Sequence, residues 1–68
     1  MEITILVNGA ERRTEDGITV GRFLERLGVR RQTAVVEHNR RILKKDDYDS
    51  VTLKERDELE LVRFVGGG

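Results

Sequence analysis

A single stretch of this sequence has the spacing of an amphipathic helix, and the segments on both sides of it resemble strands. Four apolar residues recur at i, i+3, i+4 and i+7, namely Val20, Phe23, Leu24 and Leu27. Thr19 is a favourable N-cap residue, and Gly28 is placed to end the helix in the left-handed conformation. A lone helix with one apolar stripe must bury that stripe against a sheet.

The flanking segments predict the strands of that sheet. The first segment alternates apolar and polar residues and ends in Asn8-Gly9, a signal for a type I′ hairpin turn. The apolar triplet 34–36 is typical of a strand that is buried on both faces or nearly so. Strands are predicted over residues 1–7, 10–15, 33–37, 41–43 and 58–65. This order predicts an α+β fold, in which a mixed five-stranded sheet with its first and last strands side by side packs on one main helix, as in the β-grasp.

Composition limits what such a chain can do. The 68 residues carry 13 Lys and Arg against 13 Asp and Glu, so the formal net charge is zero and no strongly basic or acidic arm is present. The lack of cysteine excludes disulfides, thiolate metal sites and a cysteine nucleophile. The apolar runs are far shorter than the roughly 18 residues of a membrane span, and the start lacks signal-peptide features. We expect a cytoplasmic protein with no membrane partner.

Three of the seven glycines occupy the last three positions, Gly66, Gly67 and Gly68. Without Cβ atoms such a tail stays flexible and can enter a passage too narrow for side chains. We expect a single domain over 1–65 and a flexible tail over 66–68, whose carboxylate a separate enzyme can reach. On composition alone, a merely disordered end or a cloning remnant has about equal weight.

The segment before the tail changes its pattern. Leu59 and Leu61 share the apolar face of the last strand, whereas Val62 and Phe64 have the parity of its polar face and Arg63 has the apolar one. Val62, Arg63 and Phe64 are therefore predicted to form a docking surface for a partner protein. The alternative is a local bulge that keeps Val62 and Phe64 buried.

Two blocks carry a resemblance that spans essentially the whole chain. Residues 35–39 read VVEHN and residues 55–68 read ERDELELVRFVGGG, and with the length they make the sequence similar to the ThiS family of sulfur carrier proteins in thiamine biosynthesis. The resemblance implies a ubiquitin-like β-grasp domain that is not itself an enzyme. It implies that the Gly68 carboxylate, preceded by Gly67, is adenylated and converted to a thiocarboxylate. Many members of the family have a Gly-Asp turn where this chain has Arg56-Asp57, so a difference is expected only in the local turn geometry.

The resemblance also implies the partners. They are an adenylating enzyme of the ThiF type that uses ATP, a thiazole synthase of the ThiG type and a sulfur donor system, and the chain itself binds no cofactor. Carriers for molybdopterin, tRNA thiolation, cysteine synthesis or protein conjugation use the same terminal chemistry, so they remain alternatives.

Other candidate sites have simpler explanations. The sole histidine, His38, is predicted to be an exposed turn residue, because one imidazole without further ligands makes no metal site. The carboxylates Asp46, Asp47, Asp49, Asp57, Glu58 and Glu60 are expected on a solvated face. Basic doublets raise the alternative of an RNA-binding β-grasp module, yet nearby acidic residues offset them, which argues against a nucleic-acid partner.

Overall fold

The computed structural model describes residues 1–63, and within them the predicted order of helix and strands is confirmed. The five strands are β1 (Glu2–Val7), β2 (Ala10–Glu15), β3 (Ala34–His38), β4 (Arg41–Leu43) and β5 (Glu58–Arg63), and the helix is α1 (Val20–Leu27). Two single 3₁₀ turns, Arg31–Thr33 and Lys45–Asp47, lie in the connections on either side of β3 and β4. The predicted end of the last strand, at residue 65, lies outside the described residues.

The sheet is mixed, as predicted. Its strand order is β2-β1-β5-β3-β4, and β1 runs parallel to β5 while the other neighbouring pairs are antiparallel. The first and last strands are therefore neighbours in the interior of the sheet, and β5 is its middle strand. Because β5 lies in the middle of the sheet, its Leu59 side chain is buried in the core, and its last residues are paired with β3.

Two-residue turns close both antiparallel hairpins. Asn8 and Gly9 have φ values of 51° and 83°, and Asn39 and Arg40 have 52° and 72°, which is the pair of positive values that a type I′ turn requires. Arg56, in the turn before β5, also has a positive φ of 69°. The departure noted in the sequence thus places an arginine in a conformation that favours glycine.

The helix ends as its flanking residues predict. The Thr19 side chain accepts a hydrogen bond from the Arg22 backbone N–H at 3.1 Å, and Gly28 closes the helix with φ 74°. The Val29 backbone N–H then donates to the Leu24 carbonyl at 2.9 Å. These caps satisfy backbone groups that the short helix leaves free, so the apolar stripe is set over one face of the sheet.

One apolar core joins the helix to that face. It contains Ile3, Ile5, Val7, Ile18, Val20, Phe23, Leu24, Val29, Ala34, Val36, Tyr48, Leu53 and Leu59. In β3 the alternation is clear, because Ala34 and Val36 are buried while Val35 is half-buried on the opposite face. The opposite face of the sheet is not covered by a helix in residues 1–63, and we call it the open face. No helix in this part of the chain is long and apolar enough to cross a membrane.

Candidate functional site

The last strand carries its side chains out of the core as it approaches the tail. Leu59 is 1% exposed, Leu61 is partly buried against the core, and Val62 is 57% exposed. The register with β3 is continuous, with Val62 opposite Val35 and Arg63 opposite Ala34. The strand therefore contains no bulge up to Arg63, and that alternative is wrong for this stretch. Val62 faces outward, as its parity predicted.

Arg63, the last residue of β5, lies beside a second arginine. It is exposed, and together with Arg12 it lines a groove of about 170 Å³ whose apolar wall includes Leu27 and Val29. Neither arginine forms a salt bridge with another residue in 1–63. Two guanidinium groups beside an apolar wall suit an acidic partner surface. The sequence had indicated Arg63 for this role, whereas Arg12 is brought beside it only by the β1–β2 hairpin.

The open face, on the other side of the sheet from this groove, presents apolar side chains of its own. Ile42 of β4 is 72% exposed, and it lies opposite Glu37, which in turn lies opposite Glu60. Val35 and Val62 form the next row of this face. Ile42 was not among the predicted docking residues, although the alternation of its strand gives the signal, since Leu43 packs on the core and Ile42 must point the other way.

The remaining predicted site residues, Phe64, Gly66, Gly67 and Gly68, lie outside the described residues. Their roles therefore stay predictions. The structure describes the chain up to Arg63, three positions before the first tail glycine.

His38 is not the exposed turn residue that the sequence predicted. It is the last residue of β3, its side chain is only 20% exposed, and its Nε2 lies 2.8 Å from Oδ2 of Asp57. Asp57, expected on a solvated face, is 13% exposed. Its carboxylate also accepts hydrogen bonds from the Lys54 backbone N–H and from Nδ2 of Asn39, at 3.0 and 3.2 Å. Both side chains thus join the β3–β4 turn to the turn before β5.

The electrostatics of Asp57 follow from these contacts. Burial by itself raises the pKa of the carboxyl, but the hydrogen bonds from His38, Lys54 and Asn39 outweigh it and lower the pKa below its ordinary value of 3.8. The carboxylate is therefore ionised and fully hydrogen-bonded near neutral pH. A group that is held by its own fold in this way has a structural role.

Metal and nucleic-acid sites find little support in residues 1–63. No group of three or more His, Cys, Asp or Glu side chains there is arranged to hold a metal ion. The doublets Arg12-Arg13 and Arg40-Arg41 lie on or beside β2 and β4, which are the opposite edges of the sheet. Arg31 is bound to Asp49 through two hydrogen bonds of 2.8 and 2.9 Å. The doublets Arg12-Arg13 and Arg40-Arg41 are therefore separated by the width of the sheet.

Known proteins show the same fold and similar sequences. The model of the ThiS family matches residues 5–68. The sulfur carrier protein ThiS of Bacillus subtilis is 37% identical over 54 residues, which cover 79% of this chain and 82% of that protein. The crystal structure of the thiamine biosynthesis protein ThiS from Geobacter metallireducens superimposes with a TM-score of 0.84 at 29% identity, over 97% of this chain and all of that one.

A second group of relatives is much longer. The thiazole synthase of Paramagnetospirillum magneticum is 39% identical over 64 residues, which are 94% of this chain and 20% of that protein. The thiazole synthase of Magnetococcus marinus is 36% identical over 64 residues, which are again 94% of this chain and 20% of that protein. The chain thus spans about one fifth of the length of these two proteins. With a family match over 64 of its 68 positions and a ThiS relative covered over most of its length, this chain belongs to the ThiS family.

Proposed function

We propose that this protein is a sulfur carrier of thiamine biosynthesis that bears sulfur as a thiocarboxylate on Gly68. Family membership and the similarity to the Bacillus subtilis carrier support this function. The observation that carries it is the course of β5, in which Val62 turns to solvent and Arg63 borders an open groove immediately before the glycine segment. Val62 and Arg63 lie on opposite faces of β5, so the folded domain offers contacts to a partner on both sides of the strand that leads to the tail.

The proposed chemistry takes place in partner enzymes. A carboxylate is a poor acyl donor, so an adenylating enzyme of the ThiF type activates it when a Gly68 oxygen attacks the α-phosphorus of ATP and pyrophosphate leaves. A hydrosulfide equivalent from a sulfur donor system then displaces AMP and leaves sulfur on the Gly68 carbonyl. In this scheme the chain is a substrate and supplies no catalytic group, and Gly66 and Gly67 allow the end to enter a narrow active site.

A thiazole synthase is the proposed acceptor of the sulfur. Two proteins named thiazole synthase contain a segment similar to 94% of this chain, which favours this acceptor over the other sulfur pathways that share the same terminal chemistry. The RNA-binding alternative is less well supported, because the basic doublets Arg12-Arg13 and Arg40-Arg41 belong to opposite edges of the sheet.

Intact-mass analysis tests the reaction. The purified chain, incubated with the adenylating enzyme, ATP and a sulfur donor, should exchange one oxygen for sulfur, and fragmentation should place the sulfur on Gly68. A variant with one alanine appended after Gly68 should keep the wild-type melting temperature and give no product. An equal yield from the extended variant would refute the proposal.

A matched pair of substitutions tests the docking surface. Val62→Asp should weaken binding to the adenylating enzyme by about tenfold or more, because it places a charge among the apolar contacts beside the tail. Ile42→Asp changes a more exposed side chain on the same face, two strands away, and should weaken binding much less. If Val62→Asp binds normally, the docking surface lies elsewhere, and if both variants bind equally poorly, it extends over the whole open face.

A further inference from the structure

Two asparagines at equivalent turn positions both reach the backbone of β5. Asn8 and Asn39 are the first residues of the two type I′ turns, with φ values of 51° and 52°. Asn39 Oδ1 accepts a hydrogen bond of 2.9 Å from the Glu58 N–H, at the start of the strand. Asn8 Oδ1 accepts one of 2.7 Å from the Leu61 N–H, and its Nδ2 donates to the Leu61 carbonyl at 3.4 Å. The middle strand is thus fastened near each end by a turn asparagine.

The Asn8 side chain extends the contact between β1 and β5 beyond their last backbone pair. The parallel register between β1 and β5 ends at Val7 and Leu59, and the Asn8 backbone N–H donates to the Leu59 carbonyl at 2.9 Å. Beyond Leu59 the next backbone groups of β5 on that side belong to Leu61, and the Asn8 side-chain amide takes up both of them. The side chain therefore acts as one more residue of β1.

This contact lies at the last point where β5 is held from both sides. On its other side β5 remains paired with β3 as far as Arg63. A strand with a partner on one side only can twist and fray about that partner, whereas a strand with two partners has a fixed direction. Leu61 is two residues from Arg63, the last residue that the structure describes, so its restraint fixes the direction of β5 shortly before that point.

We infer that Asn8 is a positioning residue for the carrier tail, which sets the direction in which the chain leaves the sheet toward Gly68. The inference rests on the proposed function, because the tail matters only if a partner enzyme acts on it. Asn8 touches no reacting atom, and its effect passes through the Leu61 backbone. A partner that binds the open face and the tail then finds Arg63, the last described residue before the tail, in a constant position relative to that face.

Hydrogen exchange measures the restraint directly. Asn8→Gly keeps a residue that accepts positive φ and removes only the side-chain amide. Losing the equivalent of one or two net hydrogen bonds should speed exchange of the Leu61 amide about 5- to 30-fold relative to the Ile5 amide in the core. Asn39→Gly is the matched control, which should speed exchange at Glu58 and leave Leu61 protected. Asn8→Asp retains the acceptor of the 2.7 Å bond and should restore most of the protection.

The same variants separate positioning from simple stability in the thiocarboxylation assay. Asn8→Gly should raise KM for the adenylating enzyme, because apparent affinity falls in proportion to the fraction of molecules whose strand end keeps the competent direction. The kcat should stay unchanged, because the chemistry at Gly68 is not altered. Asn8→Asp should return KM toward the wild-type value, and Asn39→Gly should leave KM unchanged.

Four results would overturn the inference. Normal Leu61 exchange in Asn8→Gly would show that the amide does not hold the strand, and faster exchange with an unchanged KM would show that holding it does not position the tail. An equal rise of KM in Asn39→Gly would assign the effect to general loosening of β5. If the wild-type chain itself gains no sulfur, the proposed function fails and the tail role fails with it, while the exchange data still report whether Asn8 restrains Leu61.

Discussion

Replacement of Asp57 by alanine should destabilise this domain far more than replacement of any exposed aspartate. Its carboxylate accepts hydrogen bonds from Nε2 of His38 at 2.8 Å, from the Lys54 backbone N–H at 3.0 Å and from Nδ2 of Asn39 at 3.2 Å. The side chains of His38 and Asp57 are only 20% and 13% exposed, so water replaces these bonds poorly. One residue thereby joins two turns that are 19 positions apart.

The expected loss follows from those contacts. A hydrogen bond to a charged group contributes about 1.5–3 kcal/mol, and the Lys54 N–H can recover part of its bond from water. We expect Asp57→Ala to lower the free energy of unfolding by about 2–4 kcal/mol. A domain of this length has a total stability of about 3–10 kcal/mol, so the loss should be visible as a large shift of the transition.

Urea unfolding followed by far-ultraviolet circular dichroism at pH 7 measures this loss. Asp46→Ala is the matched control, because Asp46 is exposed and makes no hydrogen bond or salt bridge within residues 1–63, and it should change stability by less than about 0.5 kcal/mol. A loss below about 1 kcal/mol for Asp57→Ala would refute the reasoning, since it would mean that the three bonds contribute little in solution.

The pH dependence provides a second measure of the same carboxylate. The folded-state pKa of Asp57 is lowered from 3.8, so its stabilising effect is complete above that pH and is lost as the pH falls through the folded-state value. The difference in unfolding free energy between wild type and Asp57→Ala should therefore shrink below about pH 3.8. A difference that stays constant down to pH 2 would show that the carboxylate charge is not what stabilises the fold.

Three further predictions concern single residues. Arg56→Gly should raise stability by about 0.5–1 kcal/mol, measured by thermal melting, because glycine adopts the φ of 69° without strain; a lower melting temperature would contradict this. Burial raises the pKa of Tyr48 above 10.0, so stability should decline as the pH rises through the folded-state value, and absorbance titration of this sole tyrosine should give a midpoint above 10. Gly21→Ala should change stability by less than about 1 kcal/mol, because the gain in helix propensity offsets displacement of the exposed Arg31–Asp49 pair; a loss above 2 kcal/mol would mean that the backbone, too, must move.

Local signals predicted most of the fold. The hairpin at Asn8-Gly9 follows from a turn type that needs two positive φ values, and the helix ends follow from Thr19 and Gly28, whose capping needs no knowledge of the rest of the chain. The outward direction of Val62 followed from strand parity alone, because the register with β3 is unbroken. Each of these inferences uses neighbours within a few residues.

The inferences that were wrong concern contacts between distant segments. His38 and Asp57 each look like ordinary polar turn residues, and no pattern near either one indicates the other. They become partly buried because β3 and β5 pair in the register that brings His38 opposite Leu59, which places the two turns side by side. Polar side chains can be buried when their hydrogen bonds are satisfied, and that satisfaction depends on the tertiary structure.

Asn8 shows a related reason why a long-range contact could not be predicted from the sequence. Its presence is fully explained by the type I′ turn, so nothing in the sequence is left over to indicate a second role. Yet the amide that makes asparagine tolerant of positive φ also reaches the Leu61 backbone on the neighbouring strand. A residue that satisfies a strong local preference can therefore hide a long-range contact, and only the structure separates the two.

The energetics of the tail explain why its starting direction matters to a carrier. Ordering three glycines in an enzyme passage costs about 1–2 kcal/mol each, so the tail cannot supply its own binding energy. Burying an exposed apolar side chain such as Val62 returns about 1.5–3 kcal/mol, and that gain is available only while the tail reaches the active site. If Asn8 acts as we infer, a strand held from both sides as far as Leu61 keeps a constant direction relative to the open face, so that docking this face also orients the strand end at Arg63.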